Sequence, residues 1–374
     1  MIYLDNAATS YPKPSPVRRA IADALTRYGG NPGRGGHRLS LRAAELVYDC
    51  RSELCRFFGA EEPERVIFTS GATMALNLAI LTRVTRGMHV LISDREHNAV
   101  LRPILRLAAE GIVEYDVYPT TGDVVAAIRE RLRPHTGLLV ACHVSNVTGY
   151  TLPLREIGEL CRALGIYFVV DAAQSAGHLP ISLEATPCDA FCVPAHKGLL
   201  GAAGAGFVIL RSAEALRPFL MGGSGVDSLS PEMPATLPER YEAGTLPTPA
   251  IAALAAGVRY LDGYGIERVA AEENAIRRRI LEGLSVIPGI TLYEPECEGG
   301  LIAFTHESVS PELLARRLDA RGVAVRAGYH CAPLAHRTIG TPPGGCVRIS
   351  LGIGNRAEDA ERCLMAIKRS IAEP

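Results

Sequence analysis

Asp171 and Lys197 occupy positions that call for a chemical explanation. Asp171 closes the most apolar run of the chain, IYFVVDAAQ at 166–174, where an isolated carboxylate is costly unless it meets a cation. Lys197 follows DAFCVPAH and opens into the apolar, glycine-rich GLLGAAGAG, poor surroundings for a solvated ammonium. An amine held there suits Schiff-base chemistry, and the pyridinium nitrogen of pyridoxal phosphate is a cation of the kind Asp171 would hold. A third part is FTSGAT at 68–73. There a strand-like run turns through Gly71 into a helix, leaving the N–H groups around Gly71, Ala72 and Thr73 free for a phosphate. His97, in REHNAV, is placed to stack on a flat ring.

Each of these residues also has an ordinary explanation. Ser70 or Thr73 caps a helix in many proteins, an aspartate at a strand end caps a turn, a lysine snorkels, and a histidine sits satisfied in a core. Their order along the chain argues for the joint reading, because phosphate turn, ring stacker, carboxylate and lysine all follow predicted strands. Two other glycine-rich segments carry less. Gly352, Gly354 and Ala357 match a dinucleotide fingerprint, but the second strand with its acidic residue has no room before Pro374. NPGRGGH at 31–37 lacks the GK[ST] ending of a phosphate loop and reads as a loop.

The elements that must position these residues follow from periodicity. Strand-like runs at 65–69, 89–93, 112–118, 138–144, 166–172, 189–193 and 206–210 alternate with helical stretches that include 72–81 and 154–164. That alternation predicts a mostly parallel α/β sheet flanked by helices, with ligands gathered at the strand carboxyl ends. Ser40 to Phe58 reads as a packing helix closed by Gly59. Beyond a proline-rich stretch at 230–249 the pattern changes to helices at 249–261, 267–284, 311–321 and 356–371 with short strands, predicting a small α+β carboxyl-terminal domain. We divide the chain into a large cofactor-binding domain, 15–250, and a small domain of 1–14 with 251–374.

Composition sets the limits. The chain has 374 residues and a net charge of −1, with 48% hydrophobic and 21% charged residues. No domain-wide basic field is available for nucleic acid, and no apolar run is long enough to span a membrane. The start, MIYLDNAATS, carries no secretory pattern, so a cytoplasmic protein is expected. Ten cysteines without a CxxC pair argue against a metal site or a disulfide framework.

In this order, YLDNAAT (3–9), SGAT (70–73), EHNA (96–99), SNVTG (145–149), DAAQ (171–174), HK (196–197), EAGT (242–245) and RAGYHCAPL (326–334) resemble the class V aminotransferase-fold proteins. The resemblance is to their cysteine desulfurases, which are related to the selenocysteine lyases, and it covers nearly the whole chain. It implies fold type I and pyridoxal 5'-phosphate bound to Lys197. Asp171 would pair with the ring nitrogen and Gln174 with the ring hydroxyl, and His97 would stack on the ring and serve as an acid or base. Thr73 and its neighbouring N–H groups, with His196, would take the phosphate, and Thr245 would reach the phosphate of a second subunit. A homodimer is therefore implied. Asn146 and Arg348 would hold the carboxylate of L-cysteine, the planar arginine fork suiting that group. Cys331 would be the nucleophile that carries sulfur as a persulfide toward a protein acceptor, in the service of iron–sulfur cluster biogenesis. Cations such as those of Arg326 and His330 nearby in sequence favour the thiolate form.

The sequence departs from the family at three places. Pro194 stands where a hydroxyl is usual, Met74 where Glu is common, and Tyr329 where a second histidine is frequent. A selenocysteine lyase, a small amino-acid aminotransferase or a cofactor-free scaffold on the same fold are the alternatives.

Overall fold

The computed structural model describes residues 1–33, 35–212 and 217–373. Position 34, inside the glycine-rich segment read above as a loop, lies outside the described residues.

In chain order the elements are β1 (Ile2–Tyr3), α1 (Ser15–Arg27), α2 (Arg38–Phe58), β2 (Val66–Thr69), α3 (Ala72–Leu81), β3 (Met88–Ser93), α4 (Asn98–Ala109), β4 (Val113–Tyr118), α5 (Val124–Arg129), β5 (Thr136–Cys142), α6 (Leu154–Leu164), β6 (Tyr167–Asp171), β7 (Ala190–Pro194) and β8 (Gly206–Leu210). They continue with α7 (Thr248–Tyr264), α8 (Ile266–Ser285), β9 (Ile290–Tyr293), β10 (Leu301–His306), α9 (Pro311–Ala320), β11 (Val323–Ala324), β12 (Arg326–Gly328), α10 (Pro333–Thr338), β13 (Cys346–Ser350) and α11 (Ala357–Ile371).

Strands β2 to β8 form one seven-stranded sheet in the order β2-β8-β7-β6-β5-β3-β4. Each lies within two residues of the run predicted for it. Neighbours from β7 to β4 pair in parallel, whereas β8 is antiparallel to both β7 and β2. Two reversals leave β2 pointing the same way as β7, so the turn after β2 opens at the same sheet edge as the carboxyl ends of the parallel strands.

Helices cover both faces of this sheet, which is why its inner strands are largely apolar, whereas the edge strand β4, VEYDVY, carries Glu114 and Asp116. Leu139, Phe168, Val170, Phe191 and Val193 point to a core shared with Leu54 and Phe58 of α2, Ile157 and Leu160 of α6, and Leu254 and Val258 of α7. Leu138, Val140, Val169 and Cys192 point the other way, against Leu76 and Ile80 of α3 and Val100 and Ile104 of α4.

A second sheet, β12-β13-β10-β9, is antiparallel throughout. Its core joins Ile302, Phe304, Val347 and Ile349 to Ile276, Ile280 and Leu284 of α8 and to Cys363 and Ile367 of α11. Ile2 and Leu4 belong to this core too, because β1 pairs in parallel with β11. The residue at which the domains were divided, 250, falls at the start of α7, a helix whose buried face joins the core of the first sheet.

Candidate active site

At the carboxyl edge of the seven-stranded sheet, a cavity of about 260 Å³ is walled by residues from the ends of four neighbouring strands and from the start of α3. Spatial order across the edge is Lys197 after β7, Asp171 ending β6, Asn146 after β5 and His97 after β3. Gly71, Ala72 and Thr73 close one side, and Gln174 and His196 add to the walls, as do Pro194 and Met74. The structure thus gathers these predicted residues into one pocket.

Two glycine pairs make the gathering possible. A Cβ on Gly177 would lie 2.3 Å from the carbonyl carbon of Gly198, and one on Gly198 would lie 2.2 Å from the carbonyl oxygen of Ala176. The turns after Asp171 and after Lys197 therefore touch backbone to backbone. In the same way a Cβ on Gly206 would fall 2.5 Å from the Cα of Gly71, which holds the turn before α3 against the start of β8. Gly71 itself has φ +153°, open to glycine and strained for other residues. The helix that follows has no side-chain cap, so its first N–H groups face the pocket edge without that competitor.

Electrostatics follow from burial. Desolvation lowers the affinity of the Lys197 amine for its proton, and Asp171 opposes that fall while Arg348 reinforces it. His97 is likewise lowered, mainly by burial, with Asp171 opposing. His196 falls to about 4 through burial and the charges of Lys197 and Lys13. One Asp171 carboxylate oxygen, Oδ1, accepts the N–H of Ala173 at 2.9 Å. Gln174 Nε2 donates to the carbonyl of Ala7 at 3.0 Å, and His97 Nδ1 accepts the N–H of Ala99 at 3.0 Å, capping α4.

Arg348, Cys331 and Thr245 lie outside the cavity walls. Arg348 is only 1% exposed. Its Nη1 donates to the carbonyl of Asn146 and its Nη2 to Asp5 Oδ1, each at 2.8 Å. Cys331 is exposed, in the loop between β12 and α10, and Asn146 Nδ2 ties that loop to the pocket by donating to the carbonyl of His330 at 2.7 Å. Thr245 is exposed, with Asn31 Nδ2 3.3 Å from its hydroxyl. A larger surface hollow of about 830 Å³ among residues 218–240 holds none of these side chains.

Sequence reasoning assigned no role to Asp5 or Glu96. Asp5 is the carboxylate partner of Arg348. Glu96 is fully buried behind His97, with Oε1 accepting from the Ser93 hydroxyl at 2.5 Å and from the Cys142 N–H at 2.8 Å. Both sit in motifs already quoted, YLDNAAT and EHNA; Asp5 follows the apolar MIYL, whereas Glu96 stands in the polar run SDREHN, which gave no signal of its burial.

A lysine and a carboxylate at the edge of a doubly covered sheet, with a helix start beside them and a buried arginine supplied by a small antiparallel unit, define an aminotransferase-type α/β protein. The family model Aminotransferase class-V matches residues 2–363, and the chain belongs to that family. Relatives named for cysteine desulfuration extend the likeness to full length. A probable cysteine desulfurase of Methanothermobacter thermautotrophicus is 32% identical over 370 residues, covering 96% of this chain and 92% of its own. A cysteine desulfurase of Salmonella agona is 32% identical over 385 residues, covering 99% and 93%. Among solved structures, the apo cysteine desulfurase of Thermococcus onnurineus NA1 superposes with a TM-score of 0.89 at 29% identity, covering 98% of this chain and 94% of that one. Among the described residues no helix is long and apolar enough to cross a membrane.

Proposed function

We propose that this chain is a pyridoxal-phosphate-dependent cysteine desulfurase that moves sulfur from L-cysteine to Cys331 and releases L-alanine. The observation that carries the proposal is the convergence of Lys197, Asp171, Asn146 and the uncapped start of α3 on one cavity. The residues fit the cofactor. Asp171 is an acceptor for a protonated ring nitrogen, Lys197 is an amine whose hold on its proton burial weakens, and the buried Oδ1 of Asn146 has no partner among the described residues. Gly71, Ala72 and Thr73 with His196 would hold the phosphate, Gln174 the ring hydroxyl, and His97 the ring face. When bound, the cofactor supplies an electron sink for negative charge developing at the substrate Cα.

The protein's own residues do the rest. Arg348 and Asn146 bind the substrate carboxylate, the charged fork fixing its orientation. Lys197, whose hold on its proton burial weakens, takes the Cα proton and can return one to the substrate. Cys331 attacks the substrate sulfur as a thiolate. An S–S bond forms, the substrate Cβ–S bond breaks with its electron pair staying on carbon, and protonation there completes alanine. The net change is cysteine plus a thiol to alanine plus a persulfide, with no outside oxidant. His97, beside the substrate, is the secondary acid or base.

The wider setting belongs to the same proposal. Thr245 would reach the phosphate of a second copy, making a homodimer the working form, and the exposed Cys331 would hand its sulfur to a protein acceptor. The ten free cysteines suit a reducing, cytoplasmic compartment. The two functional units are 15–250, which carries the cavity walls, and 1–14 with 251–374, which carries Arg348 and Cys331, with α7 as the seam.

The test is release of alanine and sulfide from L-cysteine by holoenzyme with a reductant present. Equimolar alanine and sulfide are expected. Turnover with selenocysteine alone, or amino transfer to a keto acid without sulfide, would replace this reading.

A further inference from the structure

His330 and His336 are each 3% exposed, their rings nearly parallel at 11°. His330 Nδ1 lies 3.3 Å from His336 Nε2. The remaining nitrogen of each ring is committed elsewhere. His336 Nδ1 is 2.9 Å from the Thr341 hydroxyl oxygen, and that hydroxyl also lies 3.5 Å from the His336 carbonyl, an arrangement in which Thr341 can accept from the ring. His330 Nε2 is 3.4 Å from the Arg326 carbonyl, which can only accept. With its one proton on the outer nitrogen, each neutral ring turns a lone pair into the 3.3 Å gap. The cations of Arg348 and Arg326 lie close to His330.

Cys346, on the neighbouring strand β13, is fully buried. Its Sγ and one ring nitrogen from each histidine lie within 4.8 Å of one another.

We propose that His330 Nδ1, His336 Nε2 and Cys346 Sγ form a three-ligand site for a thiophilic d10 metal ion, Zn²⁺ or Cu⁺, behind the loop that carries Cys331. Two metal–nitrogen bonds of ordinary length at a tetrahedral angle separate their nitrogens by about 3.3 to 3.4 Å, which matches the gap. The Thr341 hydroxyl and the Arg326 carbonyl fix the ring orientations as outer partners of metal-bound histidines do. Binding replaces the Cys346 S–H bond by a metal–sulfur bond and releases one proton to solvent, with no change of oxidation state. With one thiolate and two neutral rings the site is neutral around Cu⁺ and keeps one positive charge around Zn²⁺. The nearby arginines therefore favour Cu⁺. The expectation from cysteine spacing was no metal site at all, because two histidines six residues apart and a cysteine ten further on fit no sequence pattern for zinc. A bound ion would pin His330, and with it a stretch where His330 and Cys331 both adopt left-handed backbone, φ +51° and +57°.

The site can be tested without reference to desulfurase activity. Holoenzyme carrying Cys331→Ser, which removes the exposed thiol as a competing ligand, is equilibrated with buffered Zn²⁺ or, without oxygen, with buffered Cu⁺, and its metal content is measured. About one equivalent is expected, with one sulfur and two nitrogen ligands by X-ray absorption; whichever ion is retained identifies the occupant. His336→Ala and Cys346→Ala, checked for folding by circular dichroism, should hold essentially none. Thr341→Val touches no ligand atom and should weaken binding about 10- to 100-fold, so it carries the test if either ligand variant fails to fold. Failure of the parent protein to retain either ion, or retention unchanged in these variants, overturns the proposal.

Discussion

The carbonyl oxygen of Cys331 accepts a hydrogen bond from the main-chain N–H of Asn98 at 2.7 Å. Asn98 is the first residue of α4 and follows His97, a wall of the cavity. An exposed thiol on a loop of the small unit is thereby anchored to the sheet edge where Lys197 and Asp171 stand. The donor is main chain, so side-chain substitution at position 98 leaves the anchor in place.

Because the anchor is independent of the Cys331 side chain, Cys331→Ser should keep cofactor binding and the spectral response to L-cysteine while sulfur transfer stops. Mass spectrometry of the wild type after L-cysteine should find one added sulfur on the peptide containing Cys331. An unchanged persulfide yield in the serine variant, on Cys346 or any other thiol, would mean that the nucleophile is elsewhere.

Lys197→Ala removes the buried amine, and turnover should fall about 100- to 10,000-fold, the range of a positioned acid–base group. The visible absorbance of cofactor attached to the protein should vanish as well. Unchanged circular dichroism separates this loss from unfolding.

Pro194 ends β7 opposite Gly206 and lines the cavity. It offers neither a hydroxyl nor an N–H, so one donor to a phosphate is missing. A bond to a charged acceptor contributes roughly 1.5 to 3 kcal/mol, about a tenfold to hundredfold change in affinity. Pro194→Ser should therefore retain more cofactor after equal dialysis, with little change in kcat. Equal or poorer retention would assign Pro194 to shaping the turn that aims His196 and Lys197.

Burial pushes Glu96 up to about 8, with the charge of Asp171 adding to the rise and the bonds from Ser93 and Cys142 opposing it. The folded protein keeps a proton there that the unfolded chain releases above its ordinary value of 4.5. Stability from this group is complete below about 4.5, is lost progressively as pH rises, and levels off above about 8. Glu96→Gln should flatten the fall of Tm across that window and exceed the wild type at its alkaline end by a few degrees. An identical Tm–pH slope in both proteins would show that Glu96 does not hold the proton.

The seven strands of the large sheet were legible because a sheet covered on both faces requires local apolar runs, and glycine closures marked the ends of α2 and α6. Lys197, Asp171, His97 and the turn at Gly71 were legible for the related reason that each immediately follows such a run. Helix α1 escaped notice, opening after Pro14 without a side-chain cap, as did α4, whose cap is a histidine and whose interior holds Pro103. Strands β1 and β11 have two residues each, too few for any periodicity.

Contacts between distant segments were decided by the tertiary structure alone. Arg348 meets Asp5 across 343 positions and Asn146 across 202, and His330 and His336 meet Cys346 only where the loop after β12 folds back beside β13. Local sequence specifies which residues prefer strand, turn or helix, since those preferences act over a few bonds. Which polar side chains share a buried space depends on how the two units dock, and there each charge or lone pair must find its partner in three dimensions or remain unsatisfied.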